Sequence, residues 1–338
     1  MLFDYFVVWS MHLYRKYQRL LVLCHFINKG KALMRIAMIG LGDIALKAYL
    51  PVVTSHPKVT PVLCTRNAAT LAALAKQYRI QETYTELAAL IKSQPDAVMI
   101  HSSTDSHFTI AMQCLQAGIP VFIDKPISYY MNECEQVMDV SAQKNIPIFV
   151  GFNRRYAPLY QLLLSVSPIH IKYQKNRFAL PDEPRVFIFD DFIHVLDFCI
   201  FAGQTHGCTL DDDQLNVFAH SQGAELGVIS VEWRCKHVLF SASMNRLNGG
   251  NEERLEYFAE NQKWQIDNLR EGHVLKNNTR SPLRFGDWDS TLYKRGFVTM
   301  FEQFIASLEH GKTSTTYHDG ILRVHRLCER LVNQLHKH

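Results

Sequence analysis

The feature that most narrows the folds open to this chain is six residues long. Gly40-Leu41-Gly42-Asp43-Ile44-Ala45 follows directly on an apolar run at 36–39 and opens a helical pattern over 45–54. In a strand–turn–helix setting each small residue has a physical task. Gly40 permits the tight turn, and Gly42 lets a pyrophosphate approach the backbone. Ala45 keeps the helix close on the strand, and the helix N-terminus favours phosphate charge. Asp43 and Ile44 complete the turn, so the expected dinucleotide-binding set begins with Gly40, Gly42, Asp43, Ile44 and Ala45. Alone such a motif is weak; its context gives it weight.

The next hundred residues keep the same rhythm. Apolar runs at 59–64, 97–100, 121–123 and 146–150 read as strands, with helical patterns at 68–78, 84–93, 106–117 and 131–144 between them. Regular alternation with short connections predicts a doubly wound parallel sheet of the Rossmann type. After about residue 152 the pattern changes. Residues 185–201 read as helix. Runs at 214–220, 226–233, 237–244, 253–259 and 263–268 then follow across tight turns such as Asn248-Gly249-Gly250, which predicts mainly antiparallel pairing. Helical patterns at 291–309 and 319–336 close the chain. The expected fold class is α/β: an N-terminal Rossmann sheet and a C-terminal α+β domain with an open, mainly antiparallel sheet. The expected boundaries are an extension at 1–33, a nucleotide-binding domain at 34–152 and a substrate and oligomerisation domain at 153–338.

Composition excludes several classes. With 338 residues, 47% hydrophobic and 20% charged, the chain is neither disordered nor collagen-like. Its net charge of +4 does not describe a basic surface. Arg15, Lys16, Arg19, Lys29 and Lys31 against Asp4 account for all of it, and from Met34 onward 31 basic residues face 31 acidic ones. A nucleic-acid binder would carry its excess as a patch on the folded body, so no nucleic-acid partner is expected. The apolar runs at 6–9 and 20–24 are too short to span a bilayer and lack the order of a signal peptide, so no stable membrane insertion is expected. The reading adopted for 1–33 is a start codon placed too early, with Met34 as the natural start; a membrane tether is the alternative. None of the eight cysteines forms a C-x-x-C pair, which suits free thiols in a reducing cytoplasm. No metal site is expected; Asp211-Asp212-Asp213 reads as a solvated turn, and His336 and His338 as a solvated tail.

The second strand ends Leu63-Cys64-Thr65-Arg66, about 20 residues past the glycines, where an NAD site places an acid for the ribose hydroxyl. Here Thr65 holds that place and Arg66 follows. A 2′-phosphate would meet a hydroxyl and a guanidinium without carboxylate repulsion, so the expected cofactor is NADP, with NAD as the alternative. Ser102, Ser103, Thr104 and His107 follow the third strand, where the nicotinamide half should pass. Lys125, in Asp124-Lys125-Pro126, is brought to the ligand-binding edge by architecture, since ligands bind beyond the carboxyl ends of such strands. On the segment 185–201, Asp190 and His194 are i,i+4 and His194 and Asp197 are i,i+3, so a helix would place all three on one face. That stripe is either a satisfied polar seam or a histidine acid–base oriented by a carboxylate.

Taken in order, these pieces resemble the Gfo/Idh/MocA oxidoreductase family, and within it a bacterial subgroup labelled MviM. The matching stretches are Gly40-Leu41-Gly42-x-x-Ala45, Ser103-Thr104-x-x-His107, Asp124-Lys125-Pro126, Gly151-Phe152-Asn153-Arg154-Arg155 and Asp190-x-x-x-His194-x-x-Asp197. The resemblance spans Met34 to the C-terminus. It implies hydride transfer between a nicotinamide and a carbinol or carbonyl carbon of a sugar- or cyclitol-like substrate. It implies that His194 takes the hydroxyl proton, that Lys125 stabilises the developing alkoxide, and that Asp190 positions the substrate or raises the histidine's basicity. It adds Asp124, Lys125, Pro126 and Arg154 to the cofactor set and assigns Asn153 and Asp191 to the substrate. Trp288, in a loop with Tyr293 and Arg295, is a further substrate candidate. Phe192 stands where the family often has glycine, which predicts a narrower pocket. The open sheet face predicts a homodimer or higher homo-oligomer, as is common in relatives. A non-catalytic dinucleotide-binding sensor is the competing function, and the presence of both Lys125 and His194 favours the enzyme.

Overall fold

The structure, a computed structural model, describes residues 33–210, 215–310 and 315–335. The extension up to residue 32, the Asp211-Asp212-Asp213 turn, and His336 and His338 lie outside the described residues. Six strands form a parallel sheet: β1 (Met34–Ile39), β2 (Val59–Cys64), β3 (Thr83–Tyr84), β4 (Ala97–Ile100), β5 (Val121–Ile123) and β6 (Ile148–Val150). Their order is β3-β2-β1-β4-β5-β6, the doubly wound arrangement. β4 and β5 are buried at every position, which is why they read as unbroken Val, Ile, Met and Phe rather than alternating.

Helices cover this sheet. A π-helical turn, Ala45–Tyr49, runs into α1 (Leu50–Ser55); α2 (Ala68–Tyr78), α3 (Leu87–Lys92), α4 (Thr104–Gln116) and α5 (Met131–Lys144) follow. Local chemistry sets their ends. Asn67 Oδ1 accepts from the Thr70 N–H at 3.0 Å to cap α2, and Asn145 closes α5 with φ +52°.

The second sheet has eight strands: β7 (His170–Asn176), β8 (Asn216–Gln222), β9 (Glu225–Cys235), β10 (Val238–Asn245), β11 (Glu252–Ala259), β12 (Gln262–Asp267), β13 (Glu271–Lys276) and β14 (Thr279–Leu283). Their order is β14-β13-β12-β11-β7-β10-β9-β8, antiparallel except where β7 meets β10. The sequence patterns omit β7, although it lies at the centre. Its inward side carries Ile171, Tyr173 and Lys175, and the buried lysine interrupts the apolar alternation that marks a strand.

One face of this sheet packs against α6 (Ile193–Thr205), which continues a π-helical stretch, Phe187–Phe192. After α7 (Phe297–His310), the last helix, α8 (Thr315–Leu335), returns to α5 and α6 and joins the two sheets' layers. His325 on α8 makes that junction specific. Its Nε2 accepts from the Ile127 N–H at 3.2 Å while its Nδ1–H donates to the Ile321 carbonyl at 2.9 Å. A continuous apolar core, including Val150, Phe152, Phe189, Phe198 and Leu331, lies between these layers. Among the described residues no helix is long and apolar enough to cross a membrane.

Candidate active site

The crossovers from β1 and β4 leave on opposite sides, so a crevice opens beyond their carboxyl ends. Gly40 has φ +85°, and a Cβ there would lie 2.5 Å from the Ser102 nitrogen. The first glycine therefore lets the loops after β1 and β4 touch. A Cβ on Gly42 would meet nothing within 4 Å. Open space thus faces the backbone at the helix start, where a pyrophosphate fits. Ala45 is buried against the sheet, Ile44 is exposed, and Asp43 pairs in solvent with Lys47 at 2.7 Å. Thr65 is half-buried, and Arg66 stands exposed with no ion pair among the described residues. Ser103, also exposed, precedes Thr104 at the start of α4 without capping it, while Ser102 Oγ accepts from Ser106 Oγ at 2.7 Å.

Two members of the expected cofactor set face elsewhere. His107 is buried, and its ring nitrogens contact the Pro126 carbonyl at 2.8 Å and the Ser102 carbonyl at 3.0 Å. It braces two loops. Arg154 is also buried, held by both oxygens of Glu253 at 3.1 and 2.9 Å and by Asn153 Oδ1 at 3.0 Å. Its guanidinium belongs to the buried face of the second sheet.

Lys125, just past β5, is half-buried, and its Nζ donates to the backbone carbonyl of Asp190 at 2.5 Å. Asp124 is turned inward, with Oδ1 accepting from the Lys125 N–H at 2.9 Å and from the Tyr49 hydroxyl at 3.1 Å. Burial lowers the pKa of Lys125, against the opposing pull of Asp124, Asp190 and Asp191. The π-helical stretch explains why the Asp190 carbonyl can receive a lysine. In this stretch the Ile193 N–H reaches back five residues to Ile188, so carbonyls are displaced from their usual i+4 donors.

The same stretch overturns the expected polar face. The Asp190 carboxylate does not meet His194; the Tyr129 hydroxyl contacts both its oxygens at 2.9 Å. Asp197 is fully buried and bound to Arg155 at 3.0 Å through Nε. His194 is 7% exposed, and its Nδ1 is buried without a partner. Burial, then the charges of Arg154, Lys175, Lys125 and Arg177, hold its pKa well below 6.5. The surroundings thus lower the histidine's basicity where a neighbouring carboxylate was expected to raise it. The result is a neutral imidazole at neutral pH, the form that accepts a proton.

The three residues expected to meet the substrate make the following contacts. Asp191 is buried and shared by Lys175, by Arg177 at 2.8 Å and by Arg246 at 3.4 Å, so its oxygens are committed inside the protein. Asn153 is spent on Arg154 and on the Arg295 carbonyl, to which its Nδ2 donates at 2.8 Å. Trp288 is 99% exposed. Phe192 is fully buried in the core, so it does not narrow a pocket. Sequence reasoning missed Tyr129, Tyr173, Lys175, Arg177, Arg246 and Glu253. The available signal was period two: Tyr173 and Lys175 alternate along β7, opposite Leu255 and Glu253 of β11, and Arg177 follows just past the strand end.

Asp191→Asn tests the weight of that carboxylate. Removing one partner of a buried ion cluster strands the cations around it, at a cost of about 3–5 kcal/mol. The melting temperature should fall by roughly 10 °C in a thermal denaturation scan.

A doubly wound sheet with open space over its second glycine, and a lysine and a neutral histidine past its strand ends, is the architecture of a nicotinamide-dependent dehydrogenase. Residues 34–152 match the family model described as "Oxidoreductase family, NAD-binding Rossmann fold", and residues 155–277 match "YceM-like, C-terminal domain". A Gfo/Idh/MocA family oxidoreductase from Vibrio cholerae superposes with a TM-score of 0.86 at 36% identity, covering 90% of this chain and 98% of that one. The dehydrogenase MviM from Clostridium difficile superposes at 0.82 with 25% identity, covering 89% and 99%. Myo-inositol 2-dehydrogenase of Thermotoga maritima is 21% identical over 304 residues, 82% of this chain and 89% of its own. The chain belongs to the Gfo/Idh/MocA oxidoreductase family and is a dehydrogenase.

Proposed function

We propose that the protein is an NADP-dependent dehydrogenase or reductase of a sugar- or cyclitol-like substrate, with Lys125 and His194 as its catalytic pair. The observation that carries this reading is their convergence. Lys125 hydrogen-bonds the carbonyl four residues before His194, and the neutral histidine lies within reach of the lysine's charge. The nicotinamide, when bound, supplies the acceptor or donor of hydride. In the oxidative direction His194 accepts the hydroxyl proton, while Lys125 Nζ hydrogen-bonds the same oxygen as charge builds on it. Reduction reverses both roles. Asp190 is a positioning residue: its carbonyl orients Lys125 and its carboxylate holds Tyr129. Residues 34–152 would bind the cofactor and 153–338 the substrate. The Thermotoga relative, a myo-inositol 2-dehydrogenase, supports a cyclitol- or sugar-like substrate. The outer face of the second sheet, with exposed Phe218, Leu239 and Leu275, supports a homodimer, and seven free cysteines among the described residues support a cytoplasmic location.

Arg66, exposed and unpaired past β2, supports NADP over NAD. In a fluorescence titration NADPH should bind at least tenfold more tightly than NADH. Arg66→Ala should lose about tenfold in NADPH affinity, the scale of one charge-assisted hydrogen bond, and leave NADH unchanged. Tighter binding of NADH would overturn the preference. A screen of polyols and sugars with the preferred cofactor then reads the alcohol substrate.

A further inference from the structure

We infer that the substrate carries an anionic oxygen group, a carboxylate or a phosphate, received by Arg177 and Arg295. The inference rests on the dehydrogenase reading above and narrows its substrate class. It starts from an imbalance of charge beside His194. Lys175, Arg177 and Arg246 share the single carboxylate of Asp191, and only Arg246 has a second one, Asp182 at 3.3 Å. Arg177 lies at the open edge of this cluster, its side chain 36% exposed.

Arg295 adds a cation with no carboxylate at all. Its backbone is fixed against the segment that carries Arg154. The Asn153 Nδ2 donates to its carbonyl, and the next residue, Gly296, has φ +82° and approaches so closely that a Cβ would lie 2.3 Å from the Asn153 carbonyl oxygen. Only glycine allows that contact, so the position of Arg295 is built into the fold. Among the described residues its half-buried guanidinium has neither an ion pair nor a side-chain hydrogen bond. The carboxylate whose charge reaches it, Glu253, already holds Arg154 and the Tyr173 hydroxyl. Burial and the charges of Arg154, Arg270 and Arg177 push the Arg295 pKa down, as expected of a cation lacking its counter-charge.

Half-buried cations without partners are unfavourable unless a ligand compensates them. Hydroxyl groups of a neutral sugar would leave the charge in place. A carboxylate or phosphate would neutralise it and accept the fork of N–H donors that each guanidinium presents.

The test uses the full chain saturated with NADPH, with saturation read separately from cofactor fluorescence. Inorganic phosphate and acetate are the probes, at ionic strength held constant with chloride, and the melting temperature is the readout. At least one anion should stabilise the parent protein. Its half-effect concentration should rise at least tenfold in Arg295→Gln and recover partly in Arg295→Lys. Arg295→Gln strands no carboxylate and removes an uncompensated cation, so its melting temperature without anion should be no lower than the parent's. Stabilisation by phosphate alone assigns a phosphorylated substrate, and by acetate alone an acidic one. If neither anion stabilises the NADPH-loaded protein, or if Arg295→Gln responds like the parent, the inference falls while the dehydrogenase reading stands. Absence of any NADPH or NADH signal would instead remove that reading.

Discussion

Lys125→Met should bind NADPH as the parent protein does and turn over its substrate about 10³-fold more slowly. Methionine keeps the length and apolar stem of lysine, so the turn after β5 has little reason to move. What disappears is the Nζ donor, which meets the Asp190 carbonyl in the resting protein and, in the proposed mechanism, the substrate oxygen in the reaction. His194→Ala should show a loss of similar size with cofactor binding intact, since positioned proton transfer contributes about 10²–10⁴-fold. The two variants should differ in pH response. Without His194 the residual rate should rise with pH as hydroxide substitutes for the missing base. Steady-state kinetics with separate cofactor titrations measures all of this. Full activity in both variants would sink the proposed mechanism.

Acidification from pH 7 to pH 5 should remove about 4 kcal/mol of folding stability through buried His101 and His325, with a further loss in the same direction through His194. His101 and His325 are held at about 3 and about 4 by burial, and His194 is held well below 6.5 by burial and neighbouring cations. In the unfolded chain each returns to about 6.5. Below that pH the unfolded state binds more protons than the folded state, so stability falls as pH falls, by about 1.4 kcal/mol per unit per histidine. The geometry explains the resistance to protonation. Both His101 nitrogens are buried without partners beneath Tyr49, and a protonated His325 Nε2 would face the Ile127 N–H, donor against donor. The lowered carboxyl of Glu253, at about 2, does not contribute in this window, because its stabilisation is lost only below about pH 4.5. Urea unfolding at pH 7, 6 and 5 reads the slope directly. His325→Gln should reduce that slope by about one histidine's share, and a pH-independent midpoint would refute the account.

The legible parts of this protein are those whose causes are local. The Gly40–Ala45 turn and the runs that became β2, β4 and β5 each depend on neighbours a few residues away. Lys125 was legible for a related reason: a residue just past a parallel strand lies at the ligand edge whatever the distant chain does. By contrast, the expected polar face of Asp190, His194 and Asp197 assumed α-helical spacing throughout. A π-helical stretch over Phe187–Phe192 changes the spacing of Asp190, whose carboxylate meets Tyr129; Asp197 keeps its α-helical spacing from His194 but is taken by Arg155.

By itself the sequence determined the alternation of strands and helices in the first sheet, the glycine turn after β1 and the end of the sheet past which Lys125 lies. Periodicity and turn chemistry act within one or two turns of chain, and the residues concerned carry that information themselves. Tertiary structure alone decided which charges meet. Lys125 finds the Asp190 carbonyl 65 residues away, and Arg154 finds Glu253 across 99 residues. It also decided that His194 stands among cations without a carboxylate partner, that Trp288 faces solvent, and that Arg295 is left without a counter-charge. Electrostatic environment is a sum over elements brought together by folding, and no local pattern encodes that sum.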